Sequence, residues 1–232
     1  LEYGGGELRL GGIMSFYGAI FDLDGVIVNT VPLHFKAWKY LFEEVYGISF
    51  TKKDYDEKVD GKPRIDTIHL FLPYLSESDA IVAGEIKQQR YYELLNSSSG
   101  AIEQFPSSVK LIKELKAHKV LLAVASSSKN VFYILEKIGL LADCDAVVAS
   151  GDFVHGKPDP DIFLKAAEKL GLAVKDCVVF EDALVGVQAA KAGGFLCVAI
   201  DRNNHAQNYA GADLVVADLS EVNYMKLVAV AS

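Results

Sequence analysis

Two aspartates stand two residues apart in Phe21-Asp22-Leu23-Asp24-Gly25-Val26-Ile27. Side chains at i and i+2 of an extended chain leave on the same side. The preceding run, Phe16 to Phe21, reads as a buried strand, so both acids point out of its C-terminal end, where open α/β sheets bind ligands. Carboxylates gathered in such a mouth call for a hard cation with oxygen ligands, and Mg²⁺ is the expected one. Three more polar clusters each follow an apolar run. They are Ser126-Ser127-Ser128-Lys129-Asn130, Gly156-Lys157-Pro158 and Glu181-Asp182. A nucleophilic carboxylate, a hydroxyl beside helix N-terminal amides, a lysine and a second acidic pair are the parts of phosphoryl transfer. A carboxylate attacking a phosphate dianion meets roughly 4 kcal/mol of repulsion per charge pair at 4 Å and an effective dielectric of 20. Mg²⁺ between Asp22 and Asp182, with Lys157 opposite, would offset that repulsion. Ser126 and the amides of the following turn would hold phosphate oxygens. Asp22 would attack phosphorus to form an aspartyl phosphate, and Asp24 would serve as acid and base.

Taken singly, each cluster has an ordinary reading. DxDG marks many turns and calcium loops, though an EF-hand is excluded by apolar Val26, Ile27 and Val28 where ligands should continue. Serine-rich turns cap helices, GKP is a common loop, and an acidic pair after a strand caps the next helix. Four such clusters in order, each closing a strand, favour one shared site.

The elements that must position these residues follow from periodicity. Strands are expected at Val120–Ala125, Ala146–Ala149, Cys177–Phe180, Phe195–Ile200 and Leu214–Val216, with helices at Lys129–Ile138 and Ala183–Ala192. Another helix should start from an Asp159 cap with Pro160 at its first position and end near Leu170, before Gly171. Continuous apolar strands alternating with amphipathic helices predict a parallel sheet covered on both faces. Residues 31–104 differ, with helical patterns at Pro32–Tyr46, Asp66–Phe71 and Asp79–Leu95 and a small polar loop or hinge at Asn96–Gly100. The expected organisation is an α/β, Rossmann-like parallel core (16–30 and 105–232) with a helical cap (31–104) inserted after the first strand. Residues 1–15 read as a leader or cloning remnant, with Met14 as the natural start.

The 232 residues are 51% hydrophobic, enough for a sizeable core. The net charge of −8 argues against a broad nucleic-acid surface but not against a small phosphorylated ligand held by local cations. No apolar run reaches the roughly 18 residues of a membrane span, and no signal peptide is legible. Cys144, Cys177 and Cys197 are scattered, as expected of reduced thiols in a cytoplasmic protein. His69, His118 and His205 lack metal-ligand spacing, and His155 is expected to serve its loop.

The ordered set Asp22-Leu23-Asp24-Gly25-Val26, Ala125-Ser126-Ser127, Gly156-Lys157-Pro158 and Glu181-Asp182 resembles the haloacid dehalogenase superfamily, over about Tyr17 to Ile200. The resemblance implies catalytic Asp22, Asp24, Ser126 and Lys157. It implies a Mg²⁺ site drawn from Asp22, Asp24, Glu181 and Asp182, with the Asp24 main-chain carbonyl among the ligands. Within the superfamily the chain is similar to the beta-phosphoglucomutases. His34-Phe35-Lys36-Ala37-Trp38 matches a cap helix whose His positions the acid/base Asp, and Gly61-Lys62-Pro63-Arg64 matches a cap loop whose Arg grips a distal phosphate. Ser128-Lys129-Asn130 matches the core segment facing that phosphate, and Lys87 a cap lysine near the sugar. Trp38 would either stack on the sugar or pack within the cap. The activity implied interconverts beta-glucose 1-phosphate and glucose 6-phosphate through a bound 1,6-bisphosphate. The alternative is hydrolysis of small sugar phosphates or other phosphate monoesters, and a third reading is a silent phosphate-binding domain. A monomer acting on a small phosphorylated sugar, without nucleic acid or membrane, is expected. Asn29, where an Asp is common, and the cap loop Tyr55–Gly61, more acidic than the usual mutase loop, depart from the mutase pattern.

Overall fold

The computed structural model describes residues 16–59, 62–97, 102–202, 209 and 211–232. The expected leader over 1–15, and with it Asp60, Gly61 and His205, lies outside the described residues. The chain opens with β1 (Gly18–Phe21) and a short β2 (Val28–Asn29). Four helices follow, α1 (Val31–Lys39), α2 (Lys52–Lys58), α3 (Arg64–Phe71) and α4 (Glu77–Asn96). The chain returns through β3 (Glu103–Gln104), which pairs antiparallel with β2. Then come α5 (Pro106–Ala117), β4 (Leu121–Ala125), α6 (Val131–Lys137), β5 (Ala146–Val148), α7 (Asp161–Leu170) and β6 (Cys177–Glu181). The remainder is α8 (Leu184–Ala192), β7 (Leu196–Ile200), β8 (Leu214–Val216) and α9 (Tyr224–Ala231).

Among the described residues the main sheet has six strands in the order β5-β4-β1-β6-β7-β8, all parallel. Its inner strands are apolar on both faces because both are covered. Phe21, Val124 and Phe180 pack under α5, α6 and α9, whereas Ile20, Ala123 and Val179 pack under α7 and α8. This is the expected α/β core. The β2–β3 ribbon encloses the helical cap, which has its own apolar cluster around Trp38, Leu41, Phe42, Phe50 and Ile68. Among the described residues no helix is long and apolar enough to cross a membrane.

Several boundaries differ from the sequence reading. The helix expected over Pro32–Tyr46 is α1 followed by a π-helical stretch, Tyr40–Val45, whose wider turn accompanies full burial of the consecutive Leu41 and Phe42. Helix α2 takes in Tyr55–Lys58 of the expected cap loop; it has one buried residue, Tyr55, and so shows little periodicity. A reciprocal cap between Thr51 and Asp54 and the ion pairs Lys52–Asp56 and Lys58–Asp54 support it instead. Helix α5, which the pattern also did not reveal, starts on Pro106. Helix α7 begins one residue later than expected, with Pro160 at the cap and Asp159 Oδ1 accepting from the Asp161 amide at 3.1 Å. Helix α4 runs through Asn96, the first residue of the expected loop, and residues 98–100 of that loop lie outside the described residues.

Candidate active site

The register of the sheet creates the site. Phe21 lies beside Val124 and Phe180, which sets Asp22 level with Ala125 and Glu181, and Ser126 just beyond the end of β4. Asp22 donates its amide to the Phe180 carbonyl at 3.0 Å, and the residue is buried, 7% exposed. Lys157 Nζ donates to Asp22 Oδ1 at 2.5 Å and also to Glu181 Oε1. Glu181 Oε2 accepts the Ala183 amide at 2.7 Å, so both its oxygens are engaged. Gly186 leaves the room that the Glu181 carboxylate fills, since a Cβ there would overlap it.

Burial pushes the Asp22 carboxyl up to about 7, with Lys157 opposing the shift and the charges of Glu181 and Asp24 adding to it. Burial alone would pull the Lys157 ammonium down, but Asp22 and Glu181 outweigh it and hold it protonated. Asp24 is raised by burial, against a hydrogen bond from Thr30 and the fields of Lys157 and Lys87. Thr30 Oγ1 donates directly to Asp24 Oδ1. In the turn between Asp24 and β2, Gly25 adopts φ +85° and lies against Asp182, where a Cβ would fall 1.8 Å from Oδ2. The Asp182 carbonyl accepts from the Tyr209 hydroxyl at 2.7 Å.

After β4, Ser126 is buried and its Oγ accepts the Ser128 amide at 3.0 Å, while Ser128 Oγ accepts the Asn130 amide at 3.1 Å. Lys129 is exposed at this corner. Asn130 is buried, and its Oδ1 has no partner among the described residues.

From the cap, α1 and α4 bring His34, Trp38 and Lys87 together. Lys87 Nζ lies 2.9 Å from His34 Nδ1 and 5.2 Å from the ring centres of both Trp38 and Tyr91. The His34 ring stacks on Tyr91 at 4.3 Å. Burial, then the charge of Arg64, pulls Lys87 down to about 7, and Asp24 opposes the shift. Burial and Lys87 hold His34 well below its ordinary value, so its ring is neutral and Nδ1 accepts from Lys87. Trp38 is buried and stacks on Phe42, 5.4 Å between ring centres, so it packs within the cap as well as against Lys87. Arg64 is half-buried and donates from Nη1 to the Gly84 carbonyl at 3.2 Å and to Gln88 Oε1 at 3.3 Å. It thus leans on α4 beside Lys87, and among the described residues no contact joins it to Lys129. Gly61 lies outside the described residues. Sequence reasoning missed Thr30 and Tyr91. Thr30 is the sixth residue after Asp24, and α4 alone decides that Tyr91 meets His34, so neither had a motif to mark it.

The donors around Asp22 suit a magnesium ion. They are oxygens, and the buried acids outnumber the single Lys157. The acids of this opening supply no three side-chain donors within 4.8 Å of one another; among the described residues only His155, Asp159 and Asp161 do so. Magnesium keeps several waters and needs few protein ligands, so it does not require three clustered side-chain donors. The His155 group is engaged internally, His155 Nδ1 meeting Asp161 Oδ2 at 3.0 Å, in keeping with the loop role expected of His155.

Residues 18–194 match the model of the haloacid dehalogenase-like hydrolases. The chain is 34% identical over 208 residues to a beta-phosphoglucomutase of Bacillus subtilis, covering 88% of this chain and 90% of that one. It is 30% identical over 214 residues to hexitol phosphatase A of Escherichia coli, covering 92% and 96%. A crystal structure of beta-phosphoglucomutase from Clostridium difficile superposes with a TM-score of 0.80 at 26% identity, covering 93% of this chain and 97% of that one.

Proposed function

The chain belongs to the haloacid dehalogenase-like hydrolase family, and from that premise we propose that it is a Mg²⁺-dependent sugar phosphomutase of the beta-phosphoglucomutase kind. The family makes it an enzyme, a phosphomutase or a phosphatase. The observation that favours the mutase is the buried Lys87–His34 pair, which the cap presents on the side of Asp24.

In this reading Lys157 holds Asp22 Oδ1, and Oδ2 attacks phosphorus to form the aspartyl phosphate. Glu181 holds Lys157 in place. Asp22, Asp182 and the Asp24 carbonyl hold Mg²⁺, which when bound supplies positive charge to the transferring phosphoryl group. Ser126 and the turn after it receive the phosphate oxygens. Asp24, raised by burial, carries the proton given to the leaving hydroxyl and takes one from the incoming hydroxyl. Thr30 holds its Oδ1 by a hydrogen bond. Neutral His34, fixed by Lys87 and Tyr91, lines the sugar side of the crevice with Trp38. Arg64 from the cap, and Lys129 with Ser128 and Asn130 from the core, supply the second phosphate subsite. An Arg fork suits that phosphate, and binding through both halves excludes water from the phosphoenzyme.

The match to hexitol phosphatase A favours a second reading, hydrolysis of small sugar phosphates by the same Asp22 chemistry. One assay separates them. The enzyme is incubated with Mg²⁺, beta-glucose 1-phosphate and a trace of the 1,6-bisphosphate. Accumulation of glucose 6-phosphate is expected, and release of inorganic phosphate alone would replace the mutase with the phosphatase.

A further inference from the structure

Arg202, just beyond the end of β7, lies outside every motif of the site yet reaches the turn that carries Asp24. Its Nε donates to the Gly25 carbonyl at 3.2 Å and Nη2 to the Val26 carbonyl at 3.3 Å. The same Nη2 is 3.4 Å from Ser108 Oγ, which itself donates to the Val26 carbonyl at 2.5 Å. Nη1 pairs with Asp218 Oδ2, where Ser107 Oγ also donates at 2.9 Å. The guanidinium plane rests on Phe105, 3.8 Å from the ring centre. Phe105 is the first residue after β3, and its amide donates to the Ile27 carbonyl at 2.9 Å. One cation, 15% exposed, therefore binds two consecutive carbonyls of the catalytic turn and the residue through which the chain re-enters the core from the cap.

We propose that Arg202 is a positioning residue that locks the Asp24–Val28 turn to the β2–β3 ribbon, and so sets the direction of the Asp24 peptide and side chain. The proposal rests on the catalytic roles given above to Asp22 and Asp24. Gly25 at φ +85° has little intrinsic preference for one peptide orientation, so the orientation comes from what its carbonyl meets. A lysine could answer Asp218 but could not fork across two carbonyls while stacking on Phe105.

The test is Arg202→Lys, with Arg202→Gln as a second variant. Kinetics are followed on a small phosphate ester, and amide hydrogen exchange is followed by residue. For either variant kcat should fall at least about tenfold while KM stays within about twofold. The Ile27, Val28 and Phe105 amides should exchange at least about tenfold faster together, with the β4 and β6 amides unchanged. A kcat within about twofold of the unsubstituted enzyme would overturn the proposal. So would unchanged exchange in either segment, or an acceleration shared equally by the sheet, which marks a merely structural residue. Exchange needs no turnover. An unsubstituted enzyme without activity would therefore sink the proposed function and leave exchange to decide on Arg202.

Discussion

A carboxylate buried beside two other acids ionises reluctantly, and Asp22 is in that position. Lys157 is the cation that keeps it usable, shared with Glu181. Asp22→Ala should therefore abolish mutase and phosphatase activity alike, by at least about 10³-fold in kcat. Steady-state assays with a sugar phosphate and a generic ester check this, and survival of either activity would remove Asp22 as nucleophile. Lys87 gives a pH signature at the same scale. Its pKa in the folded chain, about 7, lies below the ordinary 10.5, so between those values the unfolded chain binds the extra proton and stability rises with pH. The gain should come to roughly 4 kcal/mol by the top of that window. Urea unfolding of the unsubstituted protein and Lys87→Met at pH 7 and at pH 10 should show the variant lacking this rise. Parallel pH dependence in the two proteins would refute the lowering of the Lys87 ammonium by burial.

At the scale of elements, the turn between β1 and β2 is closely packed against the loop after β6. Gly25 combines a left-handed backbone with contact against Asp182. Gly25→Ala should cost about 1–3 kcal/mol in unfolding free energy and displace Asp182. Urea midpoints measure the first and turnover the second, and a variant with unchanged midpoint and activity would contradict the packing. Elements also differ in how visibly the chain encodes them. The buried strands and α7 follow from apolar runs and a wide amphipathic stripe, because a packed face demands that pattern. Helix α2 buries Tyr55 alone and rests on its cap and side-chain ion pairs, so hydrophobic periodicity passes it over.

For the whole molecule, the question is whether cap and core act on one substrate. Arg64 belongs to the cap and leans on α4, within the electrostatic reach of Lys87. If it grips the distal phosphate, Arg64→Ala should reduce the mutase reaction at least about tenfold more than hydrolysis of an ester lacking a second phosphate. Side-by-side kcat/KM values decide it, and equal losses in both reactions would take the distal-phosphate role from Arg64.

Legible in the chain alone was the order of the polar clusters: Asp22 and Asp24, Ser126, Lys157, and Glu181 and Asp182 each follow an apolar run, and a parallel sheet brings the ends of such runs to one edge. The sequence by itself also determined the α/β class and the helical insertion, since both follow from local periodicity. Tertiary structure alone decided that Glu181 spends both oxygens on Lys157 and the Ala183 amide, that Lys87 and His34 share a buried contact, and that Thr30, Tyr91 and Arg202 touch the site's working parts. These pairings join residues whose separation in the chain has no period. They depend on how α4 crosses α1 and how β7 ends beside the first turn, which is settled by packing across elements.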